Sequence, residues 1–219
     1  MLTESKRTDD PSARRAVVGV LALQGDVREH SAMLRSLGAA VVEIRLPRDL
    51  DGVDALVLPG GESTTMSMLL DSSGLREPVG RMIAAGTPVL GTCAGMILLA
   101  REVLDGRSDQ KGFDAIDISV RRNAFGRQLD SFEDDLHLEG FDGPPVRAVF
   151  IRAPFVDRVG PGVRVLASVP VRTGGPDGPQ SHPVVCREGR VTVAAFHPEL
   201  SGDTRLHELL LSDVEGDGV

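Results

Sequence analysis

One cysteine of the 219-residue chain lies between two glycines, in the segment Gly91-Thr92-Cys93-Ala94-Gly95. The segment follows an apolar run and precedes a run of helix formers, which predicts a strand, a sharp turn and a helix with the thiol at the turn. Glycine has no Cβ, so both glycines allow a tight turn and close packing of strand against helix. Amide groups at the start of the helix favour the thiolate, the reactive form of cysteine. The pattern indicates a nucleophile at Cys93, although a buried structural cysteine also fits this short segment.

A histidine and a glutamate near the end of the chain could supply the other groups that a thiol nucleophile requires. His197 and Glu199 are two residues apart after an apolar run, so on an extended segment their side chains project to the same side. A carboxylate beside an imidazole fixes its tautomer and stabilises the imidazolium that forms when the ring takes a proton. Cys93, His197 and Glu199 are therefore predicted to be nucleophile, base and orienting group of a triad. A surface His–Glu pair is the alternative, and the spacing of the five histidines predicts no metal site.

The elements that would position these residues are short apolar runs that alternate with helical patterns. Strands are predicted over residues 16–23, 40–46, 55–58, 89–91, 113–120, 146–151, 163–169, 183–186 and 191–196. Helices are predicted over residues 27–37, 64–71, 75–85, 94 to about 104, and from about 204 onward. Asp26 and Asp203 are predicted to cap the first and the last helix. This order predicts an α/β fold with a central, mostly parallel sheet and helices on both faces.

Two adjacent glycines follow the third predicted strand, in Pro59-Gly60-Gly61-Glu62-Ser63. Ligands of open α/β sheets bind in the crevice beyond the carboxyl ends of the strands, and glycines let backbone amides face that crevice. An ordinary turn is the alternative. A Walker-type phosphate loop is excluded because no Gly-Lys-Ser/Thr follows.

Composition and charge are those of a globular domain with an acidic surface. The hydrophobic fraction is 41%, the charged fraction is 26% and the formal net charge is −8. This charge argues against nucleic acid or an anionic membrane as the main partner. The first apolar run is too short to span a bilayer, and the two cysteines make no disulfide framework. We therefore expect a cytoplasmic protein.

The chain is predicted to form a single domain over residues 16–212. Residues 1–15 are polar and predict a disordered leader, and residues 213–219 are acidic and glycine-rich and predict a flexible tail. The stretch 172–181 is rich in glycine and proline and predicts a mobile surface loop.

Three motifs occur in the order that is found in class I (triad) glutamine amidotransferases: Leu58-Pro59-Gly60-Gly61-Glu62-Ser63, Gly91-Thr92-Cys93-Ala94-Gly95 and His197-Pro198-Glu199. Within that superfamily the chain resembles the glutaminase subunits of pyridoxal 5′-phosphate synthase. The segments that carry this resemblance are residues 21–30, 59–66, 122–128 and 150–154. The match runs from about residue 18 to residue 210, and it omits the polar leader and the stretch 172–182.

The resemblance implies a three-layer, flavodoxin-like glutamine amidotransferase fold and hydrolysis of L-glutamine to L-glutamate and ammonia, without a cofactor. It also implies a partner: a barrel-shaped synthase subunit, which forms a large hetero-oligomeric ring with the glutaminase and uses the ammonia to make pyridoxal 5′-phosphate. The rivals are a glutaminase of another pathway, such as imidazole glycerol phosphate synthesis, and a non-catalytic cysteine sensor on the same scaffold. The segments 24–30 and 122–128 argue against the first, and the His197–Glu199 dyad argues against the second.

The same resemblance assigns residues to the site. Backbone amides of Gly61 and Ala94 are expected to form the oxyanion hole. The residues implied to hold the substrate are Gly61, Glu62, Ser63, Arg122, Ile151 and Arg152. The two arginines suit an α-carboxylate through forked, charge-assisted hydrogen bonds. Gln24 is expected to belong to a loop that adjusts the oxyanion site when the partner docks.

Overall fold

The computed structural model describes residues 14–107, 109–122, 131–171 and 180–216. Within these ranges the strands are β1 (Val17–Leu21), β2 (Ala40–Ile44), β3 (Ala55–Leu58), β4 (Val89–Thr92), β5 (Ala100–Val103), β6 (Ile116–Arg121), β7 (Ser131–Leu136), β8 (Val146–Ile151), β9 (Phe155–Val159), β10 (Arg164–Val171), β11 (Gln180–Glu188) and β12 (Val191–Ala194). The α-helices are α1 (Val27–Ser36), α2 (Ser63–Ser72), α3 (Arg76–Ala84), α4 (Ala94–Leu99), α5 (Pro198–Ser201) and α6 (Arg205–Glu215). A 3₁₀ turn covers Pro47–Leu50.

Seven strands form a central sheet in the order β10-β11-β12-β4-β3-β1-β2. The ladders from β2 to β12 are parallel, and β10 and β11 add an antiparallel edge. Every residue of β3, β4 and β12 is buried, as apolar strands covered on both faces require. The predicted α/β fold with a central, mostly parallel sheet is confirmed.

This topology gathers the candidate residues at one edge of the sheet. Because β1, β3, β4 and β12 run parallel as neighbours, their carboxyl ends lie side by side. Gln24 follows β1, Gly60-Gly61 follows β3, Cys93 follows β4 and His197 follows β12. The crevice beyond such carboxyl ends is the ligand site of open α/β sheets.

Two smaller sheets extend the core next to this edge. One joins β5, β6 and β9, and the other is the antiparallel pair β7 and β8. Phe150 of β8 stacks on Phe132 with ring centroids 4.4 Å apart and meets the ring of Phe196 at 5.6 Å. The backbone N–H of His197 donates to the carbonyl oxygen of Val149 at 2.9 Å. The pair β7 and β8 therefore packs against and hydrogen-bonds the segment that links β12 to His197, the candidate base.

Most predicted elements are present, with ends that move by three residues at most. The helix predicted from residue 94 to about 104 is wrong in length: α4 ends at Leu99, and residues 100–103 form β5. Ala100 turns to an extended conformation, and β5 then pairs in parallel with β6. Strand pairing thus overrides the helix propensity of this stretch. The strands β7 and β9 were not predicted.

The folded domain extends past its predicted carboxyl end. The tail predicted from residue 213 begins too early, because α6 continues to Glu215 and Asp213 is buried in an ion pair with Arg187 at 2.7 Å. Of the predicted leader, residues 1–13 lie outside the described residues, and Arg14 lies 3.2 Å from Asp54. Of the predicted loop 172–181, residues 172–179 lie outside the described residues, and the last two belong to β11.

No helix among the described residues has the length and apolar character that crossing a membrane requires.

Candidate active site

Cys93 lies at a strained turn between β4 and α4. Its backbone has φ 49° and ψ −105°, a region that residues with a Cβ rarely occupy. A Cβ on Gly95 would lie 1.9 Å from the carbonyl oxygen of Leu58, and a Cβ on Gly91 would lie 2.9 Å from the backbone of Gly95. Only glycine fits at either position, so the predicted close packing at the elbow is confirmed. The side chain of Cys93 reaches the cavity while the residue remains only 7% exposed.

His197 and Glu199 form the predicted pair, by a different route from the predicted one. Nδ1 of His197 lies 2.7 Å from Oε1 of Glu199. Glu199 does not continue an extended segment: Pro198 starts the short helix α5, with His197 at its N-cap position. The carboxylate of Glu199 is fully buried behind the ring.

The surroundings of His197 and Glu199 favour a protonated imidazole ring at His197. Burial disfavours the charged ring, but hydrogen bonds with Cys93 and Glu199 and their charges outweigh it, so the pKa of His197 is raised. Burial also raises the pKa of Glu199, against the hydrogen bond from His197. The imidazole is thus set to accept a proton and to hold it.

The side chain of Asp26 makes a contact that the sequence did not indicate. The residue occupies the N-cap position of α1, as predicted, but its side chain makes no capping hydrogen bond there. Its Oδ2 lies instead 3.1 Å from Nδ1 of His197, beside the oxygen of Glu199. Asp26, His197 and Glu199 form the one group of possible metal ligands found among the described residues, and it coincides with the His–Glu pair.

An open cavity of about 550 Å³ lies over Cys93. Nine of the residues predicted for the site line it: Gln24, Gly61, Glu62, Ser63, Cys93, Arg122, Ile151, Arg152 and His197. Glu199 lies behind His197, and Ala94 is buried as the first residue of α4. The volume is in the range of small-molecule sites.

The loop after β3 is packed tightly between its neighbours. A Cβ on Gly60 would lie 2.4 Å from Cε1 of His197. Gly61 has φ 150°, and a Cβ on Gly25 would lie 1.6 Å from the carbonyl oxygen of Gly60. Oε1 of Gln24 accepts a hydrogen bond from the backbone N–H of Glu62 at 3.2 Å. The loop of Gln24 therefore contacts the peptide that carries a predicted oxyanion donor.

Glu62 and Arg122 form the polar side of the cavity. Nη2 of Arg122 lies 3.0 Å from Oε1 of Glu62, and Nη1 donates to Oε1 of Gln110 at 3.2 Å. Partial burial of Glu62 works against ionisation, but hydrogen bonds from Thr65 and Thr64 lower its pKa to about 2. Glu62 thus caps α2 and fixes the guanidinium of Arg122.

Ile151 and Arg152 approach the cavity from the end of β8. Arg152 has φ 43°, so both it and Cys93 have a positive φ. Ser63 is buried as the first residue of α2.

Sequence reasoning missed two buried histidines behind the pair, His30 of α1 and His207 of α6, both with no exposed surface. Their signal was a histidine among the apolar positions of a helix. Such a residue is more often a satisfied core residue than a functional one, and the sequence alone cannot separate the two.

Comparison with known proteins identifies the family of this chain. Residues 20–216 match the SNO glutamine amidotransferase family. The chain is 56% identical to the pyridoxal 5′-phosphate synthase subunit PdxT of Rhodococcus jostii (strain RHA1), over 92% of this chain and 98% of the relative. It is 56% identical to the PdxT subunit of Salinispora tropica, over 87% of this chain and 92% of the relative.

Solved structures agree with the fold. A crystal structure of a glutamine amidotransferase matches 92% of this chain and all of its own, with 44% identity and a TM-score of 0.79. A putative GMP synthase subunit from Thermoplasma acidophilum, at 15% identity and a TM-score of 0.63, shows the fold alone. With a triad-type Cys–His–Glu set at one cavity and the family matched over residues 20–216, the chain belongs to the SNO glutamine amidotransferase family.

Proposed function

We propose that this chain is the glutaminase subunit of a pyridoxal 5′-phosphate synthase. It hydrolyses L-glutamine to L-glutamate and ammonia, and the ammonia passes to a synthase subunit that builds pyridoxal 5′-phosphate. One observation carries the proposal: Cys93 and His197 meet at a cavity lined by the residues expected to hold glutamine. The relatives at 56% identity are named for this pathway.

The first half-reaction forms a thioester. The Cys93 thiolate attacks the side-chain amide carbon of glutamine, and the carbonyl oxygen becomes an oxyanion that backbone amides of Gly61 and Ala94 would stabilise. The carbon–nitrogen bond then breaks, and His197 gives its proton to the departing nitrogen, which leaves as ammonia. Glu199 holds the ring and stabilises its charged form.

The second half-reaction restores the enzyme. His197, now neutral, takes a proton from water as the water oxygen attacks the thioester carbon. The carbon–sulfur bond breaks, glutamate leaves, and the thiolate–imidazolium pair is restored. No group outside this chain, glutamine and water takes part in the balance.

Recognition of the amino-acid end falls to the polar side of the cavity. We assign the α-carboxylate of glutamine to the guanidinium groups of Arg122 and Arg152, since forked donors match a carboxylate. Glu62 already receives donors from Thr64, Thr65 and Arg122, so its main contribution is to hold Arg122 in place.

We further place the chain in the cytoplasm. Two buried free cysteines, Cys93 and Cys186, are what a reducing compartment preserves.

The test is reconstitution with the synthase subunit. Glutamine labelled with ¹⁵N in its side-chain amide should yield labelled ammonia and labelled pyridoxal 5′-phosphate, and Cys93→Ala should yield neither. A glutamine-analogue electrophile should label Cys93 and leave Cys186 unlabelled, because burial raises the pKa of that second thiol to about 12. Labelling of Cys93 without glutamine turnover would favour a cysteine sensor, and turnover without labelled product would favour a glutaminase of another pathway.

A further inference from the structure

A chain of buried polar side chains continues from Glu199 away from the cavity. Nε2 of His30 lies 3.3 Å from Oε2 of Glu199 and 3.2 Å from the hydroxyl of Thr92. Nδ1 of His30 lies 2.8 Å from Nε2 of His207. All four residues are buried, and neither imidazole lines the cavity.

The triad carboxylate needs a partner on this side. Oε1 of Glu199 is occupied by His197, whereas Oε2 is buried without a hydrogen bond of normal geometry among the described residues. Leaving a charged oxygen so placed costs free energy and lets the carboxylate rotate. The ring of His30 faces this oxygen, with Nε2 at 3.3 Å.

Proton accounting selects one tautomer of His30. If Nε2 carries the hydrogen, it donates to the hydroxyl of Thr92 and has Oε2 of Glu199 3.3 Å away, and Nδ1 accepts the Nε2–H of His207. Nδ1 of His207, which has no partner among the described residues, is then an unprotonated nitrogen. In the opposite tautomer the bare Nε2 of His30 faces a carboxylate, and a buried N–H of His207 is left without an acceptor.

His30 is also set to remain neutral. Burial, followed by the charges of His207 and His197, lowers the pKa of His30 well below its ordinary value. A neutral donor stabilises the carboxylate of Glu199 without cancelling its charge, so the charge stays available to His197.

We propose that His30 is a positioning residue of the triad: its neutral ring directs Nε2–H toward Oε2 of Glu199 and so holds Oε1 against His197. His30 does not touch the substrate, so it should affect turnover and not substrate binding. The proposal rests on the proposed glutaminase function, because positioning is measured through turnover.

Two amide variants of His30 provide a matched test. Glutamine places its amide nitrogen near the position of Nε2 and can reach Glu199, whereas asparagine reaches only the position of Nδ1. Both variants keep a buried amide in the place of a ring, so they share the loss of packing. In complex with the synthase subunit, we expect kcat of His30→Asn to fall about tenfold to a hundredfold. We expect His30→Gln to stay within about threefold of the wild type, with KM for glutamine little changed in either.

Equal losses of kcat in the two variants, or a change confined to KM, would overturn the proposal. A measurement on the wild-type chain covers the case in which a variant does not fold. The ¹⁵N chemical shifts of the His30 ring should show a protonated Nε2 and an unprotonated Nδ1, and the reverse tautomer would overturn the proposal as well. If the wild-type complex hydrolyses no glutamine, the proposed function fails, and the ring shifts still decide whether His30 donates to Glu199.

Discussion

The backbone of Cys93 holds a conformation that costs about 1–3 kcal/mol for a residue with a Cβ. Among the described residues, three non-glycine positions have positive φ: Cys93, Asp114 and Arg152. Two of the three line the same cavity. Strain is thus concentrated where the sulfur must leave the sheet and face the substrate.

Replacing the nucleophile tests its role directly. We expect Cys93→Ala to lower glutamate release by several powers of ten, because no other group in the cavity can form the thioester. The melting temperature should change little, since alanine keeps the Cβ. Cys186→Ala is the control: it removes the other buried thiol, and activity should persist. Substantial turnover by a folded Cys93→Ala protein would refute the assignment.

The two partners of Cys93 should differ in importance. Glu199→Gln keeps an oxygen that accepts from Nδ1 of His197 but removes the charge that stabilises the protonated ring. His197→Asn removes the proton carrier itself, so it should lower kcat more. Steady-state rates of both variants in the complex decide this, and the reverse order would contradict the roles given to the two residues.

At the scale of elements, the elbow depends on the absence of side chains. A Cβ on Gly95 would lie 1.9 Å from the backbone oxygen of Leu58, so Gly95→Ala must move α4 away from β3. We expect it to destabilise the fold by several kcal/mol. Gly80→Ala in α3 is the matched control: its Cβ would meet Phe113 at 3.7 Å, and alanine is the better helix former by about 1 kcal/mol. Denaturant unfolding should give a lower free energy of unfolding than the wild type for Gly95→Ala and a higher one for Gly80→Ala. Equal free energies of unfolding in the two variants would be inconsistent with the packing described.

The buried contact of His207 in α6 with His30 in α1 should make the free energy of unfolding depend on pH. Burial lowers the pKa of His207 to about 4, from an ordinary value of 6.5. Between these values the unfolded chain binds the proton and the native chain does not, so stability is full above pH 6.5 and falls as the pH drops. Across the pH range between these two pKa values, one such group changes the free energy of unfolding by about 3 kcal/mol. His207→Gln keeps a polar group near Nε2 without the titration, so its melting temperature should fall less from pH 6.5 to 4. A slope equal to that of the wild type would contradict this reading.

The sequence predicted the elements best where one pattern had one structural meaning. The predicted bounds of β3 and β8 match the observed ones, because a short apolar run has few alternatives. The stretch 100–103 was misassigned because its pairing with β6 is a long-range contact, and β7 carries charged residues that hide its strand pattern. The proposed triad followed from spacing and resemblance. The contacts of His30 with Glu199 and of Asp26 with His197 join distant segments, so the sequence carries no local signal for them.

At the scale of the whole molecule, the loop after β1 connects the outside of the protein with the oxyanion site. Gln24 lies at the cavity, bonds to the N–H of Glu62 and adjoins Gly25, which packs on the carbonyl of Gly60. These two loops follow neighbouring strands, because β1 pairs with β3. A partner that contacts the loop at Gln24 could therefore bias the Gly60–Gly61 peptide, and glycine makes its reorientation cheap.

We therefore predict that the isolated chain is a poor glutaminase and becomes active when the synthase subunit docks. Moving one oxyanion donor into place is worth roughly two to three powers of ten in turnover, which is enough to act as a gate. Glutamate release at saturating glutamine should rise by about this factor when the synthase subunit is added. Gln24→Ala removes the hydrogen bond to the N–H of Glu62 and should lower the stimulated rate more than the basal rate. Equal rates with and without the synthase subunit would refute the gate and leave the triad assignment standing.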